Sequence, residues 1–214
     1  MTELVHILDD DADVRGALGS LLRSAGYAVA LHPDPESLRA QPDDKEPACL
    51  ILDIRLGTAN GLDVQARLAE WGIDLPVILI TGYGDIPMTV QGMKAGAVDF
   101  LPKPFDDEHI LSAVASAIAL HREKLAAHSG AALLHECFGR LTPREREIMG
   151  LVVTGLMNKQ IAARLALSEI TVKIHRGNVM RKMEAQSLAD LVRMAETLGI
   201  RDASIHRFSA SPNI

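Results

Sequence analysis

The sequence predicts two folded parts: a doubly wound α/β domain with a five-stranded parallel sheet, and then a small all-α domain of four helices. Strand-length aliphatic runs alternate with helical patterns through the first half, whereas only helical patterns follow residue 140. The 214 residues suffice for two domains. Charge also divides the chain, since residues 1–121 carry 19 Asp and Glu against 8 Lys and Arg (net −11) and residues 122–214 carry 9 against 14 (net +5).

The five predicted strands are aliphatic runs with almost no polar interruption. They are LVHIL (4–8), YAVAL (27–31), ACLIL (48–52), PVILI (76–80) and VDFL (98–101), of which YAVAL is the weakest. Such runs are typical of parallel strands that are buried on both faces. Right-handed crossover connections then leave few topologies for the sheet.

Apolar residues at helical spacing predict helices between these strands. The repeats are Val14, Leu18, Leu21 and Leu22; Leu62, Ala66 and Ala69; Met88, Val90 and Met93; and Ile110, Val114 and Ile118. Strict alternation of strands and helices places helices on both faces of the sheet.

The second half predicts a compact helical domain with clear boundaries. In LTPRERE, Thr142 is the expected N-cap, Pro143 the first helical residue and Glu145 the partner in a capping box. Gly155 is the expected end of this helix, and Ser168 the N-cap of a later one. Three further helices are predicted over 158–165, 169–182 and 187–198. The resulting domain plan is 1–121, a helical extension and linker over 122–140, the helical domain over 141–200, and a tail over 201–214.

Composition excludes several classes of protein. No apolar run is long enough to span a membrane, and residues 1–15 lack the pattern of a signal peptide, so we expect a soluble, cytoplasmic protein with no membrane partner. Cys49 and Cys137 have no metal-ligand spacing and make no disulfide framework; Cys49, inside ACLILD, is expected to be a buried, inert thiol. Aromatic residues make up 3% of the chain, so the core should be aliphatic.

Polar side chains follow four of the predicted strands. Asp9 and Asp10 end the first strand, Asp53 the third and Thr81 the fourth, and Lys103 follows the fifth. The carboxyl ends of parallel strands meet at one edge of a doubly wound sheet, where functional groups gather. Each residue alone is more simply read as a cap, turn or surface charge, and their joint placement favours a shared site.

The expected site has a definite chemistry. Clustered carboxylates tolerate one another around Mg²⁺, which prefers oxygen ligands and commonly shares them with a phosphate. A carboxylate can also attack phosphorus and form an aspartyl phosphate. Lys103 would then neutralise the transferring group, and Thr81 could donate a hydrogen bond to it. Asp11, next to this cluster, is expected only to cap the helix that follows.

The segments ILDD (7–10), LILDIRL (50–56), ITG (80–82) and MKAGAVDFLPKPF (93–105) resemble the receiver domain of two-component response regulators. The resemblance implies a flavodoxin-like fold. It also implies that Asp53 accepts a phosphoryl group from a phosphohistidine on a cognate sensor histidine kinase. Mg²⁺ would be held by Asp9, Asp10, Asp53 and the backbone carbonyl of Arg55.

The same resemblance implies a switch. Lys103 would pair with the phosphoryl group, Thr81 would swing toward it, and Phe100 would move inward in concert. The peptide bond before Pro104 would be cis. One departure is Gly57, at a position where receivers often carry proline, so we expect a more mobile loop and an altered phosphoryl lifetime.

Two other classes of function compete with this reading. Haloacid-dehalogenase-like phosphohydrolases also use an aspartyl nucleophile, but they need a second aspartate two residues later, where this chain has Arg55. An interaction module that works without metal or phosphate is the third class, which the complete set of polar residues disfavours. Any self-dephosphorylation is expected to be slow, so we predict a regulator and not a metabolic enzyme.

The predicted helix 169–182 has two different faces. The inner face carries Val172, His175, Val179 and Met183, and the outer face Lys173, Arg176, Gly177 and Arg181. His175 is expected to be a hydrogen-bonded core histidine. A basic outer face on the second helix of a helix–turn–helix can enter the DNA major groove, although a solvated surface gives the same pattern.

LTPRERE, GLMNKQIA and TVKIHRGNVMRKM (171–183) resemble the LuxR-type DNA-binding domain. The resemblance implies two sets of contacts. Base-reading positions are Lys173, Ile174 and Gly177, with Arg176 as a further candidate; positions that touch phosphates or brace the recognition helix are Lys159, Thr171, His175 and Lys182. Because the family often has lysine or another polar residue at the position of Gly177, one direct contact is expected to be missing.

The whole chain resembles the FixJ/NarL group of response regulators, nearest the FixJ side. This implies a phosphorylation-dependent regulator of transcription, by resemblance an activator, that binds promoter DNA and works with RNA polymerase. Phosphorylation is expected to act through the face formed by residues 86–95, 98–101 and 106–120, which would then form a homodimer or release the basic domain.

Overall fold

The computed structural model describes residues 3–40, 46–57, 59–82 and 86–200. These residues form two compact units that meet in sequence between Ala127 and His128. The predicted tail, 201–214, lies outside the described residues. In the described part of the chain, no helix is both long enough and apolar enough to cross a membrane.

The first unit is built on a five-stranded parallel sheet. Its strands are β1 (Leu4–Leu8), β2 (Ala28–His32), β3 (Ala48–Asp53), β6 (Val77–Thr81) and β7 (Asp99–Pro102), in the order β2-β1-β3-β6-β7. The doubly wound fold is therefore confirmed, with every strand bound within one residue of its prediction. A short antiparallel hairpin of β4 (Arg55–Leu56) and β5 (Ala59–Asn60) follows β3. The hairpin was not predicted, because two-residue strands have no measurable period.

Helices lie between the strands of the sheet, and a last, long helix follows β7. They are α1 (Ala12–Ser24), α2 (Pro35–Arg39), α3 (Gly61–Arg67), α4 (Ile86–Lys94) and α5 (Asp107–Gly139), with a 3₁₀ turn at Ala69–Trp71. Asp11 caps α1 by accepting hydrogen bonds from the backbone N–H groups of Asp13 and Val14, as expected. The position of helix α2 was not predicted, because its five residues are too few to show a helical period.

Both faces of the sheet are buried, which explains the uninterrupted aliphatic runs. Side chains from β1, β3 and β6 alternate between two cores: Val5, Ile7, Ile51 and Ile78 pack with α1 and α5, and Leu8, Leu50, Leu52 and Leu79 pack with α3. Cys49 is fully buried, and burial raises the pKa of its thiol to about 12, so the thiol is inert as expected.

Helix α5 continues through most of the segment for which we expected an extension and then a linker. It is unbroken to Gly139, because residues 122–139 consist largely of good helix formers and contain no proline. Near its middle, His121 is buried against the sheet, where its Nδ1 accepts a hydrogen bond of 2.9 Å from the backbone N–H of Ala48. The domain boundaries given above remain predictions.

The second unit contains α6 (Pro143–Val153), α7 (Asn158–Leu165), α8 (Glu169–Lys182) and α9 (Leu188–Thr197). The capping box of Thr142 and Glu145 is present, and Gly155 follows α6 with a φ of +87° that favours glycine. The predicted bounds of α7 and α8 are confirmed, as is Ser168 as the N-cap of α8. Inward-facing side chains of all four helices share one apolar core.

Candidate functional sites

The parallel sheet brings the predicted acidic residues together at its carboxyl edge. Asp9 follows β1 and Asp53 ends β3, and both carboxylates are buried, whereas Asp10 is exposed. One carboxylate oxygen of each lies within 4.8 Å of the others. Asp9 is further held in place because its Oδ1 accepts the backbone N–H of Asp11 at 2.9 Å. Residues 44 positions apart in sequence thus form one acidic cluster.

Lys103 joins two of these carboxylates. Its Nζ donates to Oδ2 of Asp9 and to Oδ2 of Asp53, at 2.7 Å in each case. Burial raises the pKa of Asp53, while the hydrogen bonds from Lys103 and from the backbone N–H of Arg55 act in the opposite direction. For Lys103, burial acts to lower the pKa, but the two carboxylates outweigh burial and raise it. The lysine therefore remains a cation between two acids.

The donor set fits a hard divalent cation. Asp9, Asp10 and Asp53 offer carboxylate oxygens at close range, which are ligands that Mg²⁺ prefers. Receiver domains in general bind Mg²⁺ in such an acidic pocket. The expected contribution of the Arg55 backbone carbonyl stays a prediction.

The predicted switch residues lie beside the pocket. Thr81 is buried at the end of β6, and its backbone carbonyl accepts the N–H of Lys103 at 2.6 Å. Phe100, on β7, is partly buried against the core on the α3 side of the sheet. The peptide bond between Lys103 and Pro104 is cis, as the resemblance implied.

Sequence reasoning missed the role of Gly61. Its N–H donates to the carbonyl of Ile54 at 2.8 Å, and a Cβ at this position would lie 2.8 Å from the Cα of Ile54 and closer still to the carbonyl oxygen of Asp53. Only glycine allows this approach to the end of β3. The sequence does show a second glycine in RLGTANG, eight residues after Asp53. It does not show that this glycine packs against the backbone at the end of β3.

Gly57, in the same loop, has a φ of +58°. Proline cannot adopt this conformation, since its ring fixes φ near −65°. This chain therefore lacks the proline that is common in the family at a residue whose backbone conformation proline cannot adopt. A Cβ at Gly57 would make an ordinary contact of 3.5 Å with Oδ2 of Asp10.

The second candidate site is the exposed face of α8. Lys173, Ile174 and Gly177 are exposed on it, and Lys159 is exposed on α7. Thr171 is half-buried, with its Oγ1 2.8 Å from Oγ of the N-cap Ser168. On the opposite face Val172, Val179 and Met183 are buried, as predicted.

Two of the predicted DNA-contacting cations make contacts inside the unit. Lys182 Nζ donates to the buried carboxylate of Glu145 at 2.6 Å. Arg176, which we expected to face outward, is half-buried, and its Nη1 donates to Oδ1 of Asn158 at 2.6 Å. Both contacts brace α8 against a preceding helix. For Lys182, bracing is one of the two roles that the resemblance implied, whereas Arg176 is less available to DNA than we expected.

The expectation for His175 was wrong in one respect. The residue is half-buried on the inner side of α8, but its Nδ1 is buried without a hydrogen-bond partner among the described residues. The inner face is otherwise aliphatic at Val172, Val179 and Met183, which explains why this face offers the ring nitrogen no partner.

A doubly wound domain with this acidic pocket, in one chain with a helical unit that presents a basic recognition helix, defines a DNA-binding response regulator. Residues 5–115 match the family model of the response regulator receiver domain. Residues 140–195 match that of bacterial regulatory proteins of the LuxR family. The chain belongs to the response-regulator family and is a transcriptional regulator with a LuxR-type DNA-binding domain.

Curated relatives and a solved structure agree with this assignment. Nodulation protein W of Bradyrhizobium diazoefficiens is 50% identical over 92% of this chain and 87% of its own length. The transcriptional regulatory protein FixJ of Rhizobium meliloti is 42% identical over 89% of this chain and 94% of its own. The solved structure of the response regulator StyR superposes with a TM-score of 0.83 and 41% sequence identity, over 92% of this chain and 99% of the StyR chain.

Proposed function

We propose that Asp53 is the phosphoacceptor of this regulator and that its phosphorylation, supported by Mg²⁺, controls dimerisation and binding to promoter DNA. The observation that carries the proposal is the position of Lys103 Nζ, 2.7 Å from both Asp9 and Asp53. This arrangement combines a nucleophile, a metal-binding carboxylate and a cation for the transferring group.

In the proposed transfer, a bond from Asp53 to phosphorus replaces the P–N bond of the phosphohistidine. A carboxylate oxygen of Asp53 attacks phosphorus of the kinase phosphohistidine, the P–N bond breaks, and its electron pair remains on the imidazole, which then takes a proton from water. Lys103 stabilises negative charge on the transferring oxygens, and the Thr81 hydroxyl donates to one of them. Mg²⁺, held by Asp9, Asp10 and Asp53, would supply further charge neutralisation.

Phosphorylation would change the balance between two conformations. A phosphoryl group adds about −1.5 to −2 charge beside Thr81 and Lys103. Thr81 and Phe100 would relay this change to the face formed by α4, β7 and α5. On α4, Val90 and Met93 are each 45% exposed, which is consistent with a face that pairs with a second copy. The dimer would bind two half-sites and activate transcription through RNA polymerase.

The pocket also favours a long-lived phosphoryl group over rapid turnover. A phosphohydrolase of the haloacid-dehalogenase type would need an acid where Arg55 stands, and Arg55 is exposed. Slow self-dephosphorylation at Asp53 is therefore part of the proposal, and the duration of the signal would depend on it.

The test uses the full chain with acetyl phosphate and Mg²⁺. The wild type should gain one phosphoryl group by intact mass, shift to a dimer by light scattering, and bind duplex DNA more tightly. Asp53→Asn should lose all three responses, whereas Asp63→Asn, at an exposed position on α3, should retain them. Phosphoryl labelling that persists in Asp53→Asn would refute the assigned acceptor.

A further inference from the structure

The outer face of α8 carries two unusually exposed isoleucines. Ile170 is 73% exposed and Ile174 is 59% exposed, and among the described residues these are the two most exposed large apolar side chains. They are four residues apart on a helix, so they lie on the same face as neighbours. Together they form an apolar pair, which we call the isoleucine pair.

The fold does not account for the isoleucine pair. Burial of an isoleucine side chain stabilises a fold by about 1.5–3 kcal/mol. Neither Ile170 nor Ile174 makes this contribution in full, because both are largely exposed. Branching at Cβ also slightly lowers helix propensity. The core of this unit is supplied by the opposite face of α8, through Val172, Val179 and Met183. A role in binding is the remaining physical reason to keep both isoleucines in water.

The surroundings of the pair indicate nucleic acid as the occupant. Exposed Lys173 lies between the two isoleucines in sequence, and exposed Arg181 lies further along the helix. One turn beyond Ile174, Gly177 leaves open space, because a Cβ built there would meet no atom within 4 Å. Ile170 is in the first turn of α8, and the N-terminal residues of a recognition helix contact base edges.

The major groove offers one apolar group, the C5 methyl of thymine. We propose that Ile170 is a specificity-determining residue that contacts a thymine methyl, about two base-pair steps from the base pair that Ile174 contacts. The two residues are separated by about 6 Å along the helix axis, which corresponds to roughly two base-pair steps. The inference rests on the proposed DNA-binding function of α8 and adds to it a residue and a chemical preference.

The test begins with a duplex selected from a random pool by the full-length protein in acetyl phosphate and Mg²⁺. Each thymine of the selected half-site is then replaced by deoxyuridine, which removes only the methyl group. For the wild type, one replacement should weaken binding about fourfold, the equivalent of about 0.8 kcal/mol for one buried carbon. Ile170→Ala should bind the unmodified duplex correspondingly less tightly and should be insensitive to deoxyuridine at that position.

Two controls separate this role from others. Leu188→Ala, at a 44% exposed apolar residue on α9, should keep the wild-type response to deoxyuridine. The salt dependence of binding should be unchanged in Ile170→Ala, because isoleucine neutralises no phosphate. Light scattering in acetyl phosphate and Mg²⁺ without DNA should show the same dimer for Ile170→Ala and the wild type; a lost dimer would assign the pair to self-association and overturn the proposal.

The remaining outcomes distinguish this inference from the proposed function. If the wild type selects a duplex but Ile170→Ala responds to every deoxyuridine as the wild type does, only the role of Ile170 is refuted. If the wild type selects no duplex under phosphorylating conditions, the proposed DNA-binding function fails, and the inference fails with it.

Discussion

Lys182 near the end of α8 lies 2.6 Å from the buried carboxylate of Glu145 in the first turn of α6. Oε2 of the same carboxylate accepts hydrogen bonds from the backbone N–H and the hydroxyl of Thr142. One acid thus caps the first helix of the DNA-binding unit and fastens its recognition helix. The stability of this unit and the position of its DNA-binding surface are therefore coupled through Glu145.

Replacement of Glu145 by glutamine should make stability less dependent on pH. Burial alone raises the pKa of Glu145, but hydrogen bonds from Lys182 and Thr142 outweigh it and hold the pKa below its ordinary value. The charged form therefore stabilises the fold fully above the ordinary pKa of a glutamate in the unfolded chain, and this contribution is lost as the pH falls through the lower folded pKa. We expect Glu145→Gln to cost about 1 kcal/mol at pH 7, because Lys182 is partly exposed, and much less at pH 3. Urea unfolding followed by circular dichroism measures both values.

The control for this experiment is Glu147→Gln. Glu147 pairs with Arg144 at the surface, where its side chain is 49% exposed, so its contribution should be small at either pH. Equal costs for the two substitutions at pH 7 would contradict the assigned role of Glu145.

Lys159 and Lys182 should behave differently, although both stand at positions predicted either to touch phosphates or to brace the recognition helix. Lys159 is exposed on α7, so Lys159→Ala should weaken binding to all sequences and reduce the salt slope of log K by about 0.9. Lys182→Ala should mainly lower stability, since its ammonium is engaged with Glu145. Binding titrations at several salt concentrations, together with urea unfolding, measure both effects. An unchanged stability in Lys182→Ala would show that the contact with Glu145 is energetically unimportant.

Removal of the Lys103 charge should make the first unit depend on Mg²⁺. Without the ammonium, Asp9 and Asp53 repel each other, so Lys103→Met should lose about 1–3 kcal/mol of stability in the presence of a chelator. Mg²⁺ should restore more stability in this variant than in the wild type, because binding to the folded state alone stabilises it. Fluorescence of Trp71, the single tryptophan, reports the unfolding. Lys94→Met, at an exposed position on α4, should show neither effect.

Gly61→Ala should disturb the end of β3. The added Cβ overlaps the backbone of Asp53 and Ile54, so we expect a loss of about 1–3 kcal/mol and reduced phosphoryl labelling. Gly16→Ala is the matched control, because Gly16 is exposed within α1 and a Cβ there meets nothing within 4 Å. That change should be neutral or stabilising by up to about 1 kcal/mol. Normal labelling and stability in Gly61→Ala would show that the loop adapts at little cost.

Gly57→Pro should be worse than Gly57→Ala, although proline is common at this position in receivers. Alanine at a φ of +58° is strained by about 1–2 kcal/mol. Proline cannot reach this φ at all and would force the loop onto another path. Unfolding by urea, with phosphoryl lifetime measured beside it, tests the prediction, and a proline variant as stable as the wild type would contradict the observed backbone conformation.

Much of the fold and of the acidic pocket followed from local patterns. Aliphatic runs located the strands to within one residue, because a strand buried on both faces has to be apolar along its length. Thr142 and Ser168 could be identified as N-caps from the sequence, because a capping side chain binds the backbone N–H of a residue only three positions later. Asp9 and Asp53 could be placed at one edge because parallel strands all end there.

The sequence by itself thus determined the two folded units, the order of their elements and the edge where the acids gather. Only the tertiary structure decided which side chains meet: Lys103 with both Asp9 and Asp53, Lys182 with Glu145, and Gly61 with the backbone of Asp53. Periodicity assigns a residue to a face but not to a partner, because partners distant in sequence are selected by how whole elements pack.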